Sequence, residues 1–570
     1  MIEAVDETGA PARADAPAGS SALLGAAVLD RLPPGPGHAP LRLLAAVDAQ
    51  GQEAIARVGG AFVCAVWQAQ SQSLRLAIDR AGIGQLFWTQ TADQSVLAAT
   101  RLTHLVAQPE IDAKLDPVGL NHYLVYYAVP GPGTIYRDIQ RLGPGQCLTV
   151  QDGQARTHRY WQMPYAATDA AEPELQHRLR THLDDAVARA LSGTHAATTG
   201  CFLSGGLDSS TVTGLVARQR PPAHSFTIRF HEPRYDEGRY AQLAADRFAT
   251  RHHERYVDPA DVADRLETIA GFLDQPYGNS SAVAAYHCAL AAREAGMTLL
   301  LAGDGGDELF AGNERYLTLR RAELYGRIPS PARAVLDPML AWPGLDRLPL
   351  LGKAHRLRAR FHMDLSERLY DGQDPRRRFG RDGVLTADLV AMIGAHEPLA
   401  LARAAADAAG PTADTVQRMM AVDLQLTIAD NDLIKVNEMC ALAGIQVRYP
   451  MLDDQLMDFA ASLPEGTLLP GGRLRGFYKD SVADLLPRAI LTKPKHGFGL
   501  PFKEWMGQAG PVQDCLLAAL DQLVHRQLFQ PDYLAALRRA CTGADPGGLR
   551  GHAWDAAMLE LWLSTHPGTV

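Results

Sequence analysis

The chain has 570 residues, a formal net charge of −9, 47% hydrophobic residues and 21% charged ones. That length exceeds one ordinary core and implies two or more domains of globular composition. The acidic balance argues against a basic nucleic-acid surface, and no run of about 18 apolar residues is present to span a bilayer, so neither nucleic acid nor a membrane is an expected partner.

The seven cysteines lie far apart, with no CxxC and no Cys/His cluster. That pattern fits a reducing compartment better than a disulfide framework or a zinc site. The first 20 residues lack a basic start followed by an apolar run, so no signal peptide is expected, and the cytoplasm is the expected location.

In chain order, residues 1–20 read as a flexible tail rich in Ala, Gly and acids. Residues 21–165 read as a mainly β domain. Ala61–Trp67 and Leu74–Asp79 form a strand pair, Leu142–Val150 holds a turn and another strand, and one helix is expected near Pro117–Tyr127. The Pro164–Glu172 neighbourhood reads as a linker to a second domain, residues 166–570. Pro173–Leu191 is expected to be a helix, with Pro173 in the first turn, where its missing N–H costs nothing. The pattern then becomes strand, turn and helix in repetition. Strands are expected at Thr199–Leu203, His224–Phe230 and Met297–Ala302, and helices at Ser209–Arg218 and from Glu237. This alternation implies a parallel sheet covered on both faces, and the chain from about Asn313 reads as a helical extension.

The chemistry starts at Ser204-Gly-Gly-Leu-Asp-Ser-Ser210, between a strand and a helix. Glycines let the backbone approach an oxyanion, and a helix N-terminus offers unpaired N–H groups and partial positive charge. Ser204 and Ser209 add hydroxyls. Asp208 repels phosphate and makes sense as a Mg²⁺ ligand. The Lys of a GxxxxGK[ST] loop is missing, which excludes a kinase or GTPase cradle. An isolated Ser-Gly-Gly would be ordinary turn punctuation, but the whole string is similar to the pyrophosphate loop of N-type ATP pyrophosphatases.

A second motif, Gly303-Asp-Gly-Gly-Asp-Glu-Leu-Phe-Ala-Gly312, follows the third strand, where open α/β sheets bind ligands. Asp307 is expected to share Mg²⁺ with Asp208. A third, Lys493-Pro-Lys-His-Gly-Phe-Gly-Leu-Pro501, suits a mobile loop that brings a cation to developing negative charge. The expected ATP and pyrophosphate site comprises Leu203, Ser204, Gly205, Gly206, Asp208, Ser209, Ile228 and Gly303. Asp208 and Asp307 are the expected metal ligands, and Lys495, Asp304 and Lys493 the expected catalytic residues.

Together these motifs resemble the asparagine synthetase family over Leu41–Trp562. Asp430–Met439, Val447–Asp453 and Phe459–Pro464 resemble its C-terminal helical signature, and Arg57–Phe62, Asp79–Gly82 and Leu142–Gly145 its glutaminase domain. The implied fold is an α+β, Ntn-type glutaminase-like domain followed by an α/β ATP-pyrophosphatase domain with a parallel sheet and helical extension. Glutamine-dependent members carry a cysteine directly after the initiator Met, whereas here position two is Ile2 and the first cysteine is Cys64, inside a strand. The resemblance therefore implies a degenerate glutaminase domain and an amine already present on the substrate.

Leu442–Pro450 and Lys495–Phe502 are similar to lasso peptide cyclases, while Asp304 departs from the Tyr of β-lactam synthetases. That branch implies the following reaction. ATP with Mg²⁺ adenylates an Asp or Glu side chain of a leader-free core peptide, and the peptide's α-amine closes a macrolactam. Lys495 stabilises charge, Lys493 assists, and Asp304 orients or deprotonates the amine. The implied partners are the lasso precursor peptide and the leader peptidase of its pathway. The basic stretch Arg347–His362 is read either as a peptide contact or, more simply, as a solvated helix face. The rival readings are an ammonia-dependent asparagine synthetase, a β-lactam synthetase-like cyclase and a non-catalytic peptide-binding protein.

Overall fold

The computed structural model describes residues 12–16, 19–28, 39–166, 168, 170–342, 351–370, 373–494, 499–545, 547–566 and 568. Its N-terminal strands are β1 Ala12–Ala16, β2 Gly19–Val28, β3 Gly59–Gln68, β4 Ser73–Ile78, β5 Phe87–Gln90, β6 Val96–Ala99, β7 Gln140–Arg141, β8 Gln146–Gln151 and β9 Gln154–Arg159. They form an antiparallel sheet in the order β1-β2-β3-β4-β8-β9 and a smaller one in the order β6-β5-β7.

This domain differs from the sequence-based expectation in its first residues and in its helices. Residues 12–16 and 19–20, placed in a tail, pair as strands at the sheet edge. The expected single helix, found at Pro117–Tyr126, is joined by helices Ala39–Gln50, Glu53–Ala56 and Leu102–Val106. Ala39–Gln50 buries Leu43, Leu44 and Val47 against Phe62, Cys64 and Val66 of β3. Its Ala-rich apolar stripe carries helix spacing, which a strand-by-strand reading passes over.

The second domain begins with helix Glu172–Leu191. Its strands are β10 Thr199–Phe202, β11 His224–Arg229, β12 Arg251–Tyr256, β13 Leu299–Leu301 and β14 Gln446–Arg448, all parallel, in the order β12-β11-β10-β13-β14. The expected parallel sheet is present, with two edge strands that the sequence reading omitted. Arg-His-His-Glu-Arg-Tyr in β12 is too polar to read as a buried strand, but it lies at an edge, where one side faces solvent. The chain runs from β10 outward through β11 and β12, then returns to place β13 on the other side of β10. That reversal makes the carboxyl ends of β10 and β13 the topological switch point, where such sheets bind ligands.

The two halves share one hydrophobic core. Leu120, Tyr123, Leu124 and Val125 of the 117–126 helix lie in the same cluster as the synthetase-side residues Tyr277, Val436 and Trp562. Tyr123 Oη donates to the Asp555 carbonyl at 2.7 Å, and Ile135 N donates to Gln275 at 2.8 Å. Buried Arg141 pairs with buried Asp430 across the same boundary. Among the described residues no helix is long and apolar enough to cross a membrane. Of the Arg347–His362 stretch, 351–362 is helical, with Lys353, Arg356 and Arg360 exposed. The rest of it lies outside the described residues.

Candidate active site

The loop after β10 and the loop after β13 meet at the switch point. Helix Leu207–Gln219 begins two residues earlier than its sequence suggests, so Asp208 and Ser209 sit in its first turn. Gly205 has φ +68°, and a side chain there would run into the backbone of Tyr240 and Ala241. The turn closes on hydroxyls. Ser204 N donates to Ser209 Oγ at 3.2 Å, Gly206 N donates to Ser204 Oγ at 3.3 Å, and the two hydroxyls lie 3.1 Å apart. A Cβ on Gly303 would stand 2.8 Å from Ser209 N and 3.1 Å from Asp208 Cβ, so the second loop packs directly on the first.

Asp208 and Asp307, expected to share a metal, converge on one cation that the sequence reading missed. Arg475 Nη1 donates to Asp208 Oδ2 at 2.6 Å and to Asp307 Oδ1 at 2.9 Å, and Nη2 bonds Asp208 Oδ1. Its guanidinium lies 4.4 Å from the Tyr478 ring centroid, in cation–π geometry. Burial opposes the charge of Arg475, yet Asp208 and Asp307 hold its pKa above the ordinary arginine value. A positive nitrogen within reach of both carboxylates shows that they fit a shared cation. Among the described residues no third His, Cys or acid joins them.

Asp304, on the same loop, serves a different neighbourhood. Burial pushes its carboxyl up to about 6; Lys435 opposes the rise, and Asp432 and Asp208 add to it. Lys435 Nζ lies 2.6 Å from Asp432, and although burial works against its charge, Asp432 and Asp304 hold its pKa above the usual value. A π-helical segment, Asp423–Asp432, leads into helix Leu433–Leu442 and carries these two residues to Asp304. π-helical turns recur at functional sites. The N-terminal domain grips the same segment: Asn431 Nδ2 donates to the Tyr126 carbonyl at 3.2 Å, and Asn437 Nδ2 to the Ile83 carbonyl at 3.0 Å.

Lys493 is not the solvent-exposed side chain that a plain surface loop would give. It is 7% exposed, with Nζ 2.6 Å from Glu237 Oε1 and 4.7 Å from the Tyr240 ring centroid. Leu203 and Ile228 are buried at the carboxyl ends of β10 and β11, where they floor the site from the core. Lys495 lies outside the described residues.

The asparagine synthase family model matches residues 178–564, more than half of the chain, and a glutamine amidotransferase domain model matches residues 42–161. The chain belongs to the asparagine synthase family. A Mycobacterium tuberculosis (strain ATCC 25618 / H37Rv) chain, provisionally named as a glutamine-hydrolyzing asparagine synthetase, is 27% identical over 534 residues, spanning 91% of this chain and 78% of its own. The glutamine-hydrolyzing asparagine synthetase 1 of Bacillus subtilis (strain 168) is 24% identical over 534 residues, spanning 92% of this chain and 80% of its own. Membership makes the chain an ATP-dependent amide ligase, with a glutamine amidotransferase-like N-terminal domain.

Within that family frame, Arg475, Asp432 and Lys435 are the site residues that sequence reasoning missed. Asp432 and Lys435 stand in Asp430–Met439, which was read only as a family signature, and their i, i+3 charge pair was the available signal. Arg475 gave none: Gly471-Gly-Arg-Leu-Arg-Gly476 reads as a loop with two interchangeable arginines.

Proposed function

We propose that this asparagine synthase family member is a lasso peptide cyclase, an AMP-forming ligase that closes a macrolactam within a leader-free core peptide. The observation that carries the adenylation half is the meeting of the Ser204 and Gly303 loops, with Asp208 and Asp307 converging. The loop hydroxyls and the N-terminus of helix Leu207–Gln219 bind the pyrophosphate portion of ATP. Asp208 and Asp307 hold Mg²⁺, which when bound neutralises phosphate charge. An Asp or Glu side chain of the peptide attacks the α-phosphorus and pyrophosphate leaves. The peptide's α-amine then attacks the acyl carbon, giving up a proton, and AMP leaves.

Asp304 is assigned to take that proton. Its carboxyl, near 6, is ionised at neutral pH yet close enough to an α-amine pKa near 8 to accept a proton. Lys495 is assigned to the negative charge at the α-phosphate and the tetrahedral intermediate. Ordering each residue of a threaded chain costs roughly 1–2 kcal/mol, so the cleft acts as a mould for the peptide. The pathway's leader peptidase is the partner that supplies the free amine.

The amine source separates this reading from the names of the relatives. Cys64 of β3 is 1% exposed, and burial pushes its thiol far above the ordinary value, the opposite of an activated nucleophile. Residues 21–165 then act as a scaffold that supplies no ammonia. The second reading, an asparagine synthetase acting on free aspartate, is favoured by the names of the two relatives above. ATP–pyrophosphate exchange tests the two readings side by side: exchange with a lasso core peptide supports the cyclase, and exchange with aspartate alone supports the second.

A further inference from the structure

Arg475 occupies an unusual position for a structural ion pair. It is 4% exposed, its backbone lies in the left-handed region at φ +52°, and it opens the short helix Gly476–Ser481. Its fork grips Asp208 with both terminal nitrogens and shares one of them with Asp307. Gly312 leaves room for the cluster, since a Cβ there would stand 1.9 Å from Asp307 Oδ1 and 2.7 Å from Arg475 Cδ. The cation that draws the two proposed metal ligands together is thus supplied by the protein itself.

The consequence is electrostatic. Two carboxylates alone would be an open invitation to a divalent ion, but here one positive charge is already bonded to both. A bare divalent ion must displace a desolvated guanidinium and leave it buried without a carboxylate partner. ATP changes that balance, because its phosphate oxygens ligate the metal and at the same time accept hydrogen bonds from a displaced guanidinium.

We propose that Arg475 is a positioning residue that keeps Asp208 and Asp307 converged in the free enzyme and makes divalent-cation binding conditional on nucleotide. The inference rests on the proposed ATP-and-metal reading of this site, but not on which carboxylate is activated. Nucleotide and metal then bind with positive coupling, each raising the affinity for the other by the same factor. The enzyme is thereby protected from holding a divalent ion without ATP.

The test uses the full chain, Mn²⁺ as the probe metal and α,β-methylene-ATP as the nucleotide, with free Mn²⁺ read by electron paramagnetic resonance. No peptide is present, so failure of the cyclase reading leaves the result unaffected. Wild-type protein is expected to bind Mn²⁺ at least tenfold more tightly with the analogue than without it, beyond what the analogue binds alone. Arg475→Gln is expected to raise the nucleotide-free Mn²⁺ affinity at least tenfold, and adding Asp208→Asn removes that gain. Arg475→Lys, which keeps the charge but loses the fork, should fall between. Equal wild-type affinity with and without the analogue overturns the proposal, and that measurement needs no variant to fold. An unchanged Mn²⁺ affinity in folded Arg475→Gln overturns it as well, because a merely structural arginine would leave metal binding where it was.

Discussion

Lys493 Nζ lies 2.6 Å from Glu237 Oε1 and 3.5 Å from the Gly205 carbonyl oxygen, so the residue that opens the Lys493–Pro501 segment is moored to the Ser204–Asp208 loop. Glu237 immediately precedes helix Gly238–Phe248, whose Tyr240 packs under Gly205. Lys493 therefore braces the loop through its neighbours. Lys493→Met is expected to raise KM for ATP on the order of tenfold, about 1.4 kcal/mol, with a smaller change in kcat. Steady-state kinetics decide the point: a collapse of kcat at unchanged KM would place Lys493 on the reacting atoms instead.

The base role proposed for Asp304 predicts a pH dependence. With its carboxyl raised to about 6, the basic carboxylate is lost as pH falls through that value, so the rate of amide closure should decline below about pH 6. Asp304→Asn should remove that limb and lower the rate at neutral pH. The stability linkage runs the other way. A carboxyl raised in the folded state favours folding below its unfolded value near 4, and that contribution is lost as pH rises through about 6. Asp304→Asn should therefore raise Tm at pH 8 relative to wild type and bring no gain at pH 4, as differential scanning calorimetry would show.

Much of this arrangement is legible in the sequence because it depends on local chemistry. The Ser204 loop declares itself through glycines and hydroxyls between an apolar strand and a helix, and β13 through Leu299–Leu301 running into Gly303. Arg475 is illegible for the opposite reason: its role is fixed by two carboxylates 267 and 168 positions away in the chain. Helix Ala39–Gln50 has a signal of its own in the spacing of Leu43, Leu44 and Val47, which a strand-by-strand reading passes over. The edge strand β12 is hidden because a strand open on one side needs no apolar run.

Removing Asp208 should cost stability as well as activity. Asp208→Ala leaves buried Arg475 with Asp307 and loses its bidentate partner, a change of about 3–5 kcal/mol by analogy with other broken buried ion pairs. Urea unfolding should show the drop in midpoint, and ATP–pyrophosphate exchange should fall below detection in the protein that remains folded.

The N-terminal domain is expected to be needed for folding but not for nitrogen supply. A chain starting at residue 166 would uncover the cluster that Tyr277, Val436 and Trp562 share with the N-terminal domain and would lose the Arg141–Asp430 pair, so it should aggregate on expression. In the full chain, Cys64→Ser should leave amide closure within twofold of wild type, roughly 0.4 kcal/mol or less. The glutamine analogue 6-diazo-5-oxo-L-norleucine should leave Cys64 unlabelled in intact-mass spectra.

In the proposed reaction the macrolactam is closed by an amine on the substrate itself. The most direct measurement is mass spectrometry of a matched lasso precursor incubated with its leader peptidase, this protein and Mg-ATP, without glutamine or ammonium. The expected result is a core peptide lighter by one water, one AMP per ring closed, and loss of both with Asp208→Ala. AMP formed with free aspartate and ammonium, while the peptide mass stays unchanged, would contradict it.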